Sequence, residues 1–338
     1  MKKLLLVYGV LIASFLLYFL FYHYDQSNKN TWDQIDKGLQ GEMDEKYVMV
    51  TFMSGIDYWK NSLKGFEDAA KLLNVSVEYH GATQYDVHEV ITVLEQVIAK
   101  KPAGIALTAI NPDALDVTIQ KAIDAGIPVV LFDSGAPKSK ALSFLGTDNY
   151  NAGVTAAHKM AELIGGKGKV AIITLPNQLN HQERFGGFKE TLAKEYKDIQ
   201  VVALEDGKGD QIQSQMAAYR LMEDYPDLAG IFITEANGGI GVGNAMKESG
   251  KLSQVKIISF DTDKGTLDMV KDGIISATLA QGTWNMGYWS LQYLFHIHHN
   301  LIRPASNWKE GSVPLLPPNV DTGIAVVTKD NVDNYYAK

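Results

Sequence analysis

One pattern of residues occurs twice in this chain, from Tyr47 to Asp133 and from Lys169 to Asp261, and few folds accommodate such a duplication. Each copy opens on an apolar run, Tyr47-Val-Met-Val-Thr-Phe in the first and Lys169-Val-Ala-Ile-Ile-Thr-Leu in the second. A polar loop and a helical stretch centred on a Gly-Phe pair follow, with Gly65 seventeen residues after Val48 and Gly187 seventeen after Val170. A second strand comes next (Val75 to Tyr79; Val201 to Leu204), then another helix, then a third strand after Ala103-Gly104 or Ala229-Gly230. Both copies close on a fourth strand ending in Phe-Asp, at Phe132-Asp133 and Phe260-Asp261. Alternating strands and helices predict an α/β chain of two doubly wound parallel-sheet lobes. Such sheets bind ligands at the carboxyl ends of their strands, so the two terminal aspartates are expected to face a cleft between the lobes.

With 338 residues, 46% hydrophobic and 21% charged, the chain can fill two cores and has neither a disordered nor a fibrous composition. A net charge of -8 without clustered Lys and Arg argues against a nucleic-acid partner, because phosphate binding needs such clusters. The absence of cysteine excludes disulfides, thiolate metal sites, a cysteine nucleophile and an acylated lipoprotein cysteine.

From Leu4 to Tyr24 there is no Asp, Glu, Lys or Arg, a run long enough to cross about 30 Å of hydrocarbon. Lys2 and Lys3 precede it, which places the N-terminus in the cytoplasm and the rest of the chain outside. Tyr18, Tyr22 and Tyr24 suit an interfacial aromatic belt, and no small-x-small cleavage signal follows, so residues 1–24 read as an uncleaved signal anchor. Residues 25–46 form a polar juxtamembrane linker in which Thr31 to Gln34 has capping-box spacing and Trp32, Ile35 and Leu39 fall at helical intervals. A short helix there would serve as a stalk or as a docking segment for a membrane partner.

Several side chains at the predicted strand ends can hold a ligand. Tyr58 and Trp59 are adjacent rings in the loop after the first strand, suited to the apolar face of a sugar or other ring ligand, although either could pack under the helix instead. Asp133 and Asp261 can accept hydrogen bonds from ligand hydroxyls, each contributing about 1.5 to 3 kcal/mol, or can cap a following helix. Arg184 holds in the second copy the place that Tyr58 and Trp59 hold in the first; its forked guanidinium suits adjacent hydroxyls or a carboxylate, with a surface salt bridge as the plainer reading. Asn237, with Glu235 as its competitor, and Gln281 also end strands and can pair with hydroxyls. Gly238-Gly-Ile-Gly-Val-Gly243 lacks the dinucleotide spacing and is read as close helix packing, and His296, His298 and His299 lack the carboxylates of a metal site. No G-x-S-x-G elbow, Walker loop or H-E-x-x-H run is present, so no catalytic residues, cofactor or metal are assigned.

These elements, in this order, resemble the type I periplasmic sugar-binding proteins of the ribose/galactose class, whose fold is shared with the effector domain of lactose-repressor-like regulators. The resemblance runs from about Tyr47 to Asp330 and is carried by Tyr58-Trp59, Ala125 to Asp133, Gly146-Thr-Asp-Asn149, Glu183-Arg184-x-x-Gly-Phe188, Asn237, Ser259-Phe-Asp261 and Ala277 to Gln281. It implies a monosaccharide site made by Tyr58, Trp59, Asp133, Ser134, Arg184, Asn237, Asp261 and Gln281. Ser134 stands where ribose binders carry an arginine, and Gly209 where the family usually places another aromatic. The family's chain crossings imply a first lobe of residues 47–147 plus 282–312 and a second of 148–281 plus 313–338, hinged near Asp148, Gly282 and Pro314 to Pro318. The expected protein is a membrane-anchored extracytoplasmic receptor, not an enzyme, that closes on a small sugar and reports closure to a membrane partner. That partner is either an ABC permease or a sensor histidine kinase. The alternative ligand is a non-sugar or sugar-derived signal; a membrane-tethered hydrolase is disfavoured by the missing nucleophile.

Overall fold

The computed structural model describes residues 14–22, 39–302 and 316–336. The first copy of the repeat forms β1 (Lys46–Thr51), α1 (Trp59–Leu73), β2 (Ser76–Gly81), α2 (Val87–Ala99), β3 (Gly104–Leu107), α3 (Pro112–Asp124), β4 (Val129–Phe132) and β5 (Phe144–Gly146). The second forms α4 (Asn149–Ile164), β6 (Gly168–Thr174), α5 (Leu179–Glu195), β7 (Ile199–Asp206), α6 (Gln211–Asp224), β8 (Leu228–Ile233), α7 (Gly238–Ser249), β9 (Lys256–Phe260), α8 (Lys264–Lys271) and β10 (Ala277–Gln281). The chain then returns through α9 (Thr283–His298), β11 (Asn319–Asp321) and β12 (Ile324–Val327). Two six-stranded sheets result, in the orders β11-β5-β4-β3-β1-β2 and β12-β10-β9-β8-β6-β7. Their pairings are parallel except for β12, which runs antiparallel to β10.

Central strands such as β3 and β4 are buried along their whole length, as helices on both faces require. Each lobe therefore has two apolar clusters, one on either side of its sheet. Loops entering the helices supply the caps: Asp86, Asn111, Asp148, Asp210 and Asp263 each accept from a backbone N–H in the first turn. Asp263 caps α8, so Asp261 is left for another role, and Asp133 precedes no helix at all. Both aspartates sit at left-handed backbone angles, φ 63° and 68°, which swings the chain sharply off the end of each fourth strand.

The lobes are joined by three crossings stitched together at their middles. Thr322 N–H donates to Gly146 O (2.9 Å), Gly282 N–H to Gly323 O (3.2 Å), and Asp148 N–H to the Asp321 carboxylate (3.1 Å). The third crossing therefore falls at Thr322-Gly323, not near Pro314 to Pro318, and the assignment of 313–338 to the second lobe is corrected. Asn319–Asp321 pairs with β5 in the first sheet, and only the chain from β12 onward lies on the second.

The apolar N-terminal run enters the description only over 14–22, a helical segment with exposed side chains. Residues 1–13, 23 and 24 of the expected anchor lie outside the described residues, as do residues 25–38 of the expected linker. Among the described residues no helix is long and apolar enough to cross a membrane. The glycine run of α7 is a packing surface: a Cβ on Gly239 would lie 2.1 Å from Ser259 Oγ, and one on Gly241 2.0 Å from Gln211 O. The histidines at the end of α9 make structural contacts. His299 bonds Glu45 at 2.7 Å, His296 bonds Gln292 O at 2.6 Å, and His298 meets Tyr47 edge-on.

Candidate ligand-binding site

The carboxyl ends of both sheets face a common cavity lined by side chains from both lobes. Tyr58, Trp59, Asp133, Arg184, Asn237, Asp261 and Gln281 all line it, so seven side chains separated by up to 223 residues meet in one place. Trp59 is 2% exposed and packs in the first lobe's core while its edge reaches the cavity; its indole N–H donates to Phe52 O at 2.8 Å. The packing reading of that ring therefore holds, and the ring also borders the cavity.

The two strand-end aspartates are connected. Tyr58 Oη donates to Asp133, and the Gln281 amide donates to Tyr58 Oη at 3.1 Å and to Asp261 Oδ1 at 2.8 Å. Gln281 Oε1 in turn accepts from Arg184 Nη2 and from Thr147 Oγ1, both at 2.8 Å, which places this amide between the ligand cavity and the first crossing. Arg184, 2% exposed, also donates to Asn149 Oδ1 (2.9 Å) and Thr234 O (2.8 Å) and lies 4.0 Å above the Phe260 ring. Those hydrogen bonds all go to neutral acceptors, so the guanidinium is oriented without being neutralised. Its field acts on the carboxyls around it.

Burial pushes the Asp261 and Glu235 carboxyls up to about 7, and also raises Asp133, with Arg184 opposing the rise at both aspartates. His181 lines the same cavity and is pushed well below its usual range by burial and then by Arg184, so it is a neutral imidazole bonded to Thr234 Oγ1 at 3.0 Å. The cavity thus offers carboxylate acceptors, one guanidinium and neutral amides beside aromatic rings. Such a lining suits the hydroxyls and apolar faces of a small polyol ring.

Ser134 is not among the lining residues. The left-handed turn at Asp133 carries it back into the lobe, where its Oγ donates to Ala109 O at 3.0 Å and its side chain is 2% exposed. Ser134→Ala should accordingly leave ligand affinity within about twofold, because no bond to the ligand is removed, while costing about 1 kcal/mol of stability from the lost internal bond. A calorimetric titration beside a melting curve separates the two effects. Asn237 and Glu235 both line the cavity and are tied to each other: Glu235 Oε2 accepts from Asn237 N–H at 2.7 Å, and the Asn237 amide donates to Gly209 O at 3.0 Å. Lining residues that the pattern did not single out include Phe52, Tyr85, Gln178, Asn180, His181 and Lys208. Most of them sit in loops or first turns just after a strand, and that position alone was the available signal.

Two α/β lobes joined by three crossings, with a cavity lined by charged, amide and aromatic side chains between their strand ends, define a protein built to hold a small solute. The chain belongs to the periplasmic binding protein domain family, whose model matches residues 47–298. Two solved structures are 66% identical to it, each covering 87% of this chain and 100% of their own: a sugar ABC transporter sugar-binding protein from Bacillus halodurans (TM-score 0.81) and AraP, an arabinose binding protein from Geobacillus stearothermophilus (TM-score 0.79). A third, solved as a XylFII-LytSN complex, is 26% identical with TM-score 0.75, covering 84% of this chain and 98% of that one.

Proposed function

We propose that this protein is an extracytoplasmic receptor that closes on a monosaccharide, with arabinose the first candidate, and presents the closed form to a membrane partner. The observation that carries the reading is the convergence of Asp133, Asp261, Arg184, Gln281 and the Tyr58-Trp59 pair, drawn from both lobes, on one cavity. Contacts from both lobes exist together only when the lobes are shut, so the ligand binds the closed form better and shifts the equilibrium toward it. The 66% identity to an arabinose binding protein supports a pentose over other ring ligands. No step of bond making or breaking is required of the site.

Two partners fit a closing receptor. An ABC permease is supported by the likeness to a transporter's sugar-binding protein. A sensor histidine kinase is supported by the uncharged run from Leu4 to Tyr24, which would hold the receptor permanently at a membrane, and by a relative solved in complex with another protein. Replacement of residues 25–38 with a Gly/Ser linker should disrupt the second kind of coupling and spare the first.

A thermal-shift screen of the full chain in detergent against arabinose, xylose, ribose and galactose tests the ligand class. A sugar present at 100 times its dissociation constant adds about 2.7 kcal/mol, or a rise of about 4 °C. One sugar should raise the midpoint and lose its effect in Asp261→Ala. No shift with any sugar would refute the reading.

A further inference from the structure

Tyr85 lies in the loop after β2 of the first lobe, and Gln178 in the loop that enters α5 of the second. The Gln178 amide donates to Tyr85 Oη across the cleft. Among the described residues the other hydrogen bonds between lobes involve the three crossings or Gln281 beside them. Tyr85 is 47% exposed and Gln178 4%, so this bond lies where the cavity meets solvent, at its mouth.

Both partners are held in place from behind. The Tyr85 ring stands edge-to-face on Phe52 with centroids 5.4 Å apart, and Phe52 stands edge-to-face on Trp59 at 5.3 Å. Phe52 also accepts the Trp59 indole N–H through its carbonyl. One ring thus supports the cavity-lining tryptophan on one side and the mouth tyrosine on the other. Gln178 is fixed by backbone bonds on both sides, its N–H to Leu175 O (3.2 Å) and its carbonyl from Gln182 N–H (2.9 Å). Burial raises the Tyr85 hydroxyl above its usual range, so it stays neutral throughout the physiological pH range.

We infer that Tyr85 and Gln178 form a latch at the mouth of the cleft that sets how long a bound ligand is retained. The inference rests on the ligand-binding reading of the cavity. A bond away from the crossings is absent from the open form, so it stabilises closure without touching the encounter of ligand with the open lobes. It acts on the rate of release.

Stopped-flow kinetics on the full chain in detergent with arabinose tests this. Tyr85→Phe, which keeps the ring on Phe52, and Gln178→Ala should each speed dissociation about two- to tenfold. Association should stay within twofold, and the double variant should release no faster than the faster single variant, since both break the same bond. Unchanged release, an equal fall in association, or additive effects would overturn the latch. The chain has no cysteine, so Val117→Cys on α3 and Ile212→Cys on α6 accept spin labels at two exposed sites, one per lobe. Should no sugar bind, the sugar reading fails and the latch is judged alone on the distance between the two labels, read by pulsed electron paramagnetic resonance, which shortens when the lobes close. The shorter separation must then be populated in the ligand-free protein and depleted by Tyr85→Phe; its absence, or its indifference to Tyr85→Phe, would overturn the latch.

Discussion

Asp261→Asn is expected to stabilise the unliganded protein at pH 8 and at the same time to cost it most of its sugar affinity. In the folded chain burial holds the Asp261 carboxyl at about 7, against an ordinary 3.8, with Arg184 and the Gln281 amide only partly offsetting the rise. Below about pH 4 the group is protonated whether the chain is folded or not and contributes nothing. Between about 4 and 7 the unfolded chain ionises while the folded one keeps its proton, so stability falls as pH rises. Above 7 the full penalty remains, on the order of 4 kcal/mol as an upper bound. Asparagine keeps an oxygen for the Gln281 amide and carries no charge. Its melting midpoint should therefore exceed that of the wild type at pH 8 and match it near pH 4.

Sugar binding should move the other way. Hydroxyls donating to a carboxylate favour its ionised form, so affinity is complete above pH 7 and falls up to tenfold per unit below it, with protons released on binding. The carboxylate bond itself contributes about 1.5 to 3 kcal/mol, so Asp261→Asn should weaken binding about ten- to a hundredfold at pH 8. The groups that set this behaviour around Asp261 are Asp133, Asp263, Arg184 and the equally raised Glu235. Calorimetry in buffers of different ionisation enthalpy reads both the affinity and the proton count. A flat affinity between pH 5.5 and 8 would contradict the assignment.

Gly187→Ala should lower the melting midpoint sharply, while Gly186→Ala, one residue earlier in α5, should leave it unchanged or raise it. A Cβ on Gly187 would lie 2.1 Å from Tyr150 O, so α4 and α5 would have to separate. Nothing lies within 4 Å of a Cβ on Gly186. Overpacking of this kind costs about 3 kcal/mol, or a fall of about 4 °C, whereas alanine in an open helix position gains up to about 1 kcal/mol. The same close crossing joins α1 to α9, where a Cβ on Gly65 would meet Trp284 O at 2.1 Å and one on Gly287 would meet Ser62 O at 1.8 Å. With a Cβ on Gly153 lying 2.0 Å from Arg184 O, two equivalent helix pairs rest on four backbone contacts with no room for a methyl group. Equal melting of the two α5 variants would show that the crossing tolerates separation.

The equal spacing of Gly65 and Gly187 was visible in the residues, and so were the duplicated strands, because both follow from local pattern and from sheets buried on two faces. Asp133, Asp261, Gln281 and Arg184 could be picked out for the same reason: doubly wound sheets bring strand ends and first turns to one side. Ser134 could not be placed correctly, since its direction depends on a left-handed angle at the preceding aspartate that no periodicity encodes. The third crossing was misplaced because β11 is three residues long and pairs with Phe144 to Gly146, far earlier in the chain. Tyr85, Gln178 and His181 have no recurring spacing, and Tyr85 and Gln178 meet only through the closure of one lobe on the other.

X-ray diffraction from the protein crystallised with arabinose, or with whichever sugar gives the largest thermal shift, decides whether a monosaccharide lies between the lobes. The expected electron density is a single sugar ring in the cavity, one face against Tyr58 or Trp59, with hydroxyls within hydrogen-bonding distance of Asp133, Asp261 and Arg184. A cavity empty of sugar in those crystals, or a sugar held at a surface site away from these residues, would contradict it.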